Sequence, residues 1–399
     1  YGLAAAALTG LLRMVLTGRT IQALVGAVFG AFLSALLYQK TRKLWLAYAG
    51  EVFGTGILSA IAVYPLMRLF YGLPPHSPFY YIPFYVPSAA VGGGMGCAVL
   101  LLLRHSGALN RMLNQLKGEG PMQPAEFAAR LRAVRSAAPL VQCITNFVTV
   151  NDCANMILAA GGSPTMAHDL REVEESVAGV QALVLNLGAV GELEAMLLAG
   201  KTANALGIPV VLDPVAAGAT TLRRQSCRRL LAELGFAVIR GNASEIRSLA
   251  LGQRGGSGVD VSAGDAVTQQ TLPQAAELTE RLARRTGAVI ALSGATDIVS
   301  DGHRTLLLHN GVPTMARITG SGCMLAALTG AFCGASPEHP FAAAAAAAAA
   351  LGVAGELAEA HRLRSGAGNA SFRTHLIDGV FRLTETQLRE GVRYEVYQG

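Results

Sequence analysis

The sequence predicts an α/β layered domain with a central, mostly parallel sheet, preceded by an all-α domain of several transmembrane helices. Three observations carry this. Long apolar stretches crowd the first quarter of the chain. Beyond residue 125, short apolar runs alternate with helical patterns. Basic residues dominate the first part, whereas the rest is nearly balanced.

Hydrophobic residues make up 52% of the 399 and charged residues only 15%, more apolar than a purely soluble enzyme needs. From Tyr1 to Gly118 there are nine Lys/Arg and one acid, Glu51; removing these from totals of 32 and 26 leaves 23 basic and 25 acidic residues. The pI of 9.1 therefore comes from the first part. The near-neutral remainder argues against nucleic acid as a partner. Cys97, Cys143, Cys153, Cys227, Cys323 and Cys333 form no CxxC pair and no zinc spacing with His. All but Cys323 read as buried thiols.

A bilayer span takes about 20 apolar residues. Ile21–Tyr38, Leu44–Tyr71 and Phe79–Leu103 are that kind of stretch, and Tyr1–Leu16 reads as the stump of another. The opening on Tyr inside an apolar run reads as a chain whose true start is missing. No basic segment precedes a short apolar core, so no cleavable signal peptide is read. Lys40, Arg42 and Lys43 lie between the first two spans, and Arg104, Arg111 and Lys117 follow the third. The loop GLPPHSP has no Lys or Arg. The positive-inside rule then places Lys40–Lys43 and everything after Arg104 in the cytoplasm, with Arg13 and Arg19 as exceptions. Pro65 is expected to kink the second span. Glu51 reads either as a functional intramembrane acid or as a side chain snorkelling to the interface.

KGEGPMQP, Lys117–Pro124, marks a boundary by its Gly and Pro. AEFAARLRAVRSAAP then has helical spacing. ALVLNLG, PVVLDPV, FAVIRGN and GAVIALSG read as buried parallel strands separated by helices. Ligands bind at the carboxyl ends of such strands. That singles out Asn186, Gly188, Asp213, Arg240, Asn242, Glu245, Ser293 and Gly294. FAAAAAAAAAL reads as a tightly packed helix, because Ala is the best helix former.

The strongest chemical motif is ARITGSGCMLAALTGAF. Gly320, Ser321 and Gly322 form a turn that opens a helix at Cys323. Free backbone N–H groups and the helix dipole there favour a phosphate. A helix N-terminus also lowers a thiol pKa.

Two resemblances follow. YQKTRKLWLAYAGEVFGTGILSAIAVYP resembles the thiazole-specific substrate-binding component of energy-coupling-factor vitamin transporters. This implies that the membrane part binds a thiamine precursor and works with a separate energising module. No Walker motif occurs in the chain. TGSGCML, QCITNFVTVNDCANMILAAGGSPTMA, LDPVAAGATTLR and IRGNASEI resemble hydroxyethylthiazole kinases of the ribokinase-like superfamily, whose other members carry Asp where Cys323 stands. The division this implies is 1–117 for the membrane substrate-binding domain, 118–127 for a linker and 128–399 for the kinase.

The kinase resemblance implies phosphorylation of the hydroxyl of 4-methyl-5-(2-hydroxyethyl)thiazole by ATP with Mg2+. It assigns Asn146, Val148, Met166, Gly188 and Gly320 to the thiazole pocket. Arg240, Asn242 and Ser293 become ATP contacts, and Asp213 and Glu245 magnesium ligands. Gly320, Gly322 and Cys323 form the catalytic loop, with Cys323 as base or hydroxyl-orienting group. It also implies a homotrimer, while the apolar spans and their charged flanks read as a multi-pass membrane protein whose kinase faces the cytoplasm. Two other readings are a transporter subunit whose second domain only traps ligand, and another ribokinase-like alcohol kinase acting on a pyrimidine.

Overall fold

The computed structural model describes residues 22–41, 43–72, 77–105, 122–251, 267–268 and 270–397. The stump at 1–16, Arg13, Arg19, Arg111 and Lys117 lie outside them. The chain divides into two compact units, Tyr1–Gly118 and Glu119–Gly399.

The described residues of the first unit are mainly helical. Gln22–Thr41 is one helix. Leu44–Phe53 runs through a π turn at Gly54–Ser59 into Ala60–Tyr71, and Ile82–His105 is the last helix. Leu44–Phe70 and Ile82–Leu102 are long and apolar enough to cross a membrane. The helix continues across Pro65, and a departure from α geometry falls at Gly54–Ser59. The cause is close packing. A Cβ on Gly54 would lie 2.7 Å from Phe29 O, and one on Gly56 would lie 2.9 Å from Val86 Cγ2. Ser59 Oγ lies within hydrogen-bond distance of Gly54 O in the same turn and of Val25 O on the helix Gln22–Thr41. Glu51 sits one turn before Thr55, whose hydroxyl donates to it at 2.8 Å, and its carboxylate packs against Gly30. Val91, Met95, Val99, Leu101 and Leu102 are exposed, an apolar surface of the kind lipid covers.

The second unit opens with the helix Pro124–Ala137. Four residues assigned to the linker, 124–127, therefore belong to the folded unit. A capping box between Gln123 and Glu126 starts the helix there, and Pro124 suits its first position. Met122 is already buried.

One nine-stranded sheet forms the centre, in the order β2-β1-β3-β4-β5-β6-β7-β8-β9. The strands are β1 Leu140–Ile144, β2 Ser163–Thr165, β3 Ala182–Asn186, β4 Val210–Asp213, β5 Val238–Asn242, β6 Val289–Ser293, β7 Asp297–Ser300, β8 Thr305–Leu308 and β9 Tyr394–Val396. β1 to β6 pair in parallel, and β7 to β9 extend the sheet antiparallel. The four runs read as strands from sequence are β3 to β6. All five residues of β3 are buried, as a strand covered on both faces requires. One face packs under helices that include Ser321–Ala335 and Pro340–Ser365, the other under Leu193–Leu206, Thr221–Glu233 and Leu272–Thr286.

Pro340–Ser365 carries the alanine run. It is 26 residues long and apolar enough to span a bilayer, yet Ala343 to Ala350 are all buried among the sheet and neighbouring helices. Methyl side chains let partners approach from every side, so a larger residue has no room. Ala347→Leu should therefore destabilise the protein by about 1–3 kcal/mol. Leu357→Ala, on an exposed part of the same helix, should stay within about 0.5 kcal/mol. Denaturant unfolding of the detergent-solubilised chain checks both.

Candidate active site

The chain leaves β1 toward β2 on one side and reaches β3 on the other. The carboxyl ends of β1 and β3 therefore flank the crevice where strand order reverses, the usual ligand position in open α/β sheets. Asn146 follows β1. Asn186 ends β3 beside Asp213 at the end of β4. Arg240 and Asn242 lie on β5, and Asn242 stands opposite Ser293 of β6. The helix Ser321–Ala335 starts at this same edge.

Three glycines shape the crevice. Gly320 has φ +81°, and a Cβ there would fall 2.5 Å from Thr149 Cγ2. A Cβ on Gly322 would fall 2.5 Å from Arg240 Nη1, and one on Gly188 would meet the side chains of Asn186 and Asn146 at 2.7–2.9 Å. The Arg240 guanidinium thus lies against the first turn of the helix because residue 322 has no side chain.

Arg240 is only 8% exposed. Its Nη1 is 3.5 Å from Asp213 Oδ1, and its Nη2 donates to Ser293 Oγ at 2.6 Å. Its Nε is buried with no hydrogen-bond partner. A buried donor left unpaired costs about 1–3 kcal/mol, and a phosphate oxygen would satisfy it. Ser293 was expected as a nucleotide contact, and its hydroxyl oxygen accepts from the guanidinium. Asn242 was expected as a nucleotide contact; its Oδ1 caps the helix Ala243–Leu251 by accepting from Glu245 N at 2.9 Å.

Glu245 completes that cap. Its oxygens accept from Asn242 N at 2.8 Å and Ala216 N at 2.9 Å. Burial, and then the charge of Asp213, push its carboxyl up to about 7. Burial also raises Asp213, against the pull of Arg240. Two buried carboxylates share one guanidinium, a negative site that a divalent cation would neutralise. Each Glu245 oxygen keeps a further lone pair for a water or an ion.

Asn146 Oδ1 accepts from the N–H groups of Val148 and Thr149, and its Nδ2 reaches Cys323 Sγ at 3.5 Å. The Cys323 thiol is raised by burial and by Asp213. Burial and the neighbouring carboxylate push it in the direction opposite to the lowering expected of a helix N-terminus. Met166 is half-buried against the core. Val148, expected as pocket wall, is 57% exposed, and Phe147 beside it 91%. Asp297 and Asp301 cap turns, accepting from Gly294 N and from the N–H groups of His303 and Arg304.

Asn186 and Thr149 were not assigned roles from sequence. Asn186 bridges Asp213 and Asn146, and Thr149 contacts Gly320 and Cys323. Asn186 was singled out only by its place at a strand end; Thr149 had no signal beyond its place in ITNFVT.

A family model described as the hydroxyethylthiazole kinase family matches residues 131–386. The chain belongs to that family. A second model, described as thiamine-precursor transporter protein (ThiW), matches residues 1–106. The chain is 47% identical to a hydroxyethylthiazole kinase of Clostridium acetobutylicum over 270 residues, which is 67% of this chain and 98% of that protein. It is 49% identical to one of Desulfovibrio desulfuricans over 263 residues, 64% of this chain and 92% of that protein. The solved hydroxyethylthiazole kinase structure of Pyrococcus horikoshii superposes with a TM-score of 0.60 at 36% identity, covering 68% of this chain and 99% of that one. The second unit thus has the ribokinase-like fold.

Two outcomes follow from the geometry. Gly322→Ala should push the guanidinium away and weaken binding of a nucleoside triphosphate at least ~tenfold, about 1.4 kcal/mol, in a nucleotide titration. A raised acid binds its proton more tightly in the folded state, so the Glu245 contribution to stability falls as pH rises from about 4.5 to about 7. The stability of wild type relative to Glu245→Gln, measured without divalent cation, should decline across that window.

Proposed function

We propose that the two units act in sequence, the membrane unit delivering a hydroxyethylthiazole to the cytoplasm and the kinase unit capturing it as a phosphate. The second unit is a hydroxyethylthiazole kinase, transferring the ATP γ-phosphoryl to the hydroxyl of 4-methyl-5-(2-hydroxyethyl)thiazole. The observation that carries this for the site is Arg240, a buried guanidinium with an unpaired Nε, seated on the turn that opens the helix at Ser321. That turn presents backbone N–H groups to an anion, and phosphoryl transfer depends mainly on positioning and charge stabilisation.

In this reading Arg240 holds phosphate oxygens and Ser293 holds Arg240. The turn from Gly320 to Cys323 cradles the transferred group. Asp213 and Glu245 would hold Mg2+, with Asn242 fixing Glu245; the ion supplies positive charge beside the phosphates. Asn146, Val148, Met166, Gly188 and Gly320 border the thiazole. Cys323, as a neutral thiol, orients the acceptor hydroxyl.

The exposure of Phe147 and Val148 at the lip of the site supports a trimer in which a neighbouring subunit covers them. The positive flanks at Lys40–Lys43 and Arg104 support several spans with a cytoplasmic kinase. So do the exposed aromatics at the ends of the helices, Trp45 on one side and Phe79, Tyr80 and Phe84 on the other. An energy-coupling-factor module is the partner that such a membrane unit needs.

The test incubates the full-length chain in detergent with Mg-ATP and 4-methyl-5-(2-hydroxyethyl)thiazole, and follows ADP and thiazole phosphate by mass spectrometry. Stoichiometric product is expected, with Asp213→Asn and Glu245→Gln lowering turnover at least ~100-fold and raising the Mg2+ requirement. Cys323→Ser should keep most of the turnover, since a hydroxyl can make the same contacts. Thiazole binding without product would leave the ligand-trapping reading in its place.

A further inference from the structure

We propose that Asn186 is a positioning residue of the phosphoryl transfer, tying the acceptor pocket to the carboxylate side of the site. The proposal rests on the roles given above to Asn146 and Asp213.

The assignment comes from a chain of hydrogen bonds in which each amide can point only one way. Asn146 must turn its oxygen toward the backbone N–H groups of Val148 and Thr149, which can only donate. Its Nδ2 then faces Asn186 Oδ1 at 3.3 Å. That oxygen also accepts from Gly188 N at 2.9 Å, so the Asn186 amide cannot flip. Its Nδ2 is left facing Asp213 Oδ2 and donates to it at 2.7 Å. Asn186 and Asp213 are register partners on adjacent parallel strands, 1% and 0% exposed. Water therefore cannot replace either contact cheaply.

The consequence is directional. The loop carrying Asn146 and Val148 fixes Asn146, Asn146 and Gly188 fix Asn186, and Asn186 fixes the rotamer of Asp213. The oxygen of Asp213 nearer Arg240 is the other one, Oδ1. Asn186 thus sets which carboxylate edge faces the guanidinium. It reaches Arg240 only through Asp213, so its effect on nucleotide affinity should be smaller than that of Asp213→Asn.

Two substitutions separate the two ends of the bridge. Asn186→Asp keeps the acceptor for Gly188 and Asn146 and replaces the donor to Asp213 by a second carboxylate. Asn186→Ala removes both. With the full-length chain, and activity scaled to nucleotide-binding stoichiometry so that unfolded protein does not count, Asn186→Asp should lower kcat about tenfold or more. Its thiazole KM should stay within about threefold. Asn186→Ala should lower kcat similarly and also raise the thiazole KM about five- to tenfold. The ATP KM should rise less in both than in Asp213→Asn. In an Asn146→Ala background the effect of Asn186→Ala on thiazole KM should vanish, while its effect on kcat persists.

Wild-type kcat in Asn186→Asp, an unchanged thiazole KM in Asn186→Ala, or full additivity with Asn146→Ala in thiazole KM would each overturn the proposal. A lower melting temperature with unchanged kinetics per binding site would assign Asn186 to fold stability alone. If Asn146→Ala and Asp213→Asn themselves leave kinetics unchanged, the roles proposed for those residues fall, and the bridge with them.

Discussion

A guanidinium does not lose its charge in a protein, and removing it from water costs several kcal/mol unless charge and hydrogen bonds are returned. Arg240 is buried in this way at the crossing of β4, β5, β6 and the helix at Ser321. Much of the site's architecture follows from meeting that cost. Asp213 supplies opposite charge and Ser293 an acceptor, while Gly322 supplies room. The buried Nε of Arg240 is left without a hydrogen-bond partner. The parallel sheet matters because it delivers these groups from separate strands to one edge in fixed register.

Fold class was legible because its signals are local. Four buried strands could be read from continuous apolar runs. β1 was hidden, since Gln142 interrupts its apolar pattern; the Gln142 side chain is buried and donates to Ala167 O. β7, β8 and β9 are short and antiparallel, with no crossover helix to announce them. The π turn at Gly54–Ser59 was missed for a different reason. Proline advertises a break in the sequence, whereas close contact with Gly30 and Val86 exists only once three helices have met.

The alanine helix and the membrane helices make a related point. Length and apolarity are alike in Pro340–Ser365 and Leu44–Phe70. What differs is the company. Around the alanine run lie patterned helices and strands with charges at their ends, and that context assigns it to a protein core. Residue type served equally well for the glycines, because at Gly188, Gly320 and Gly322 a side chain is excluded by contact. It served less well for polar residues. Ser293 and Asn242 can donate or accept in several directions, and only their neighbours decide that one holds Arg240 and the other caps a helix.

The thiol shows why such neighbours decide chemistry. A helix N-terminus would draw Cys323 toward thiolate, and for an isolated helix that argument holds. Here Asp213 and burial oppose it. Charge counting gives the same answer. Asp213 and Glu245 already exceed Arg240 by one negative charge when ionised, and a triphosphate adds more. A thiolate in that field would be repelled by every partner except the guanidinium. A neutral thiol costs nothing electrostatically, and its sulfur can still accept from Asn146 while its proton turns toward Asp213. The Cys at this position is therefore best understood as a small polarizable group that fits a crowded anionic corner. In the proposed reaction the acceptor hydroxyl is aligned against it and, once the O–P bond has formed, gives its proton to an oxygen of the transferred phosphoryl group or to water.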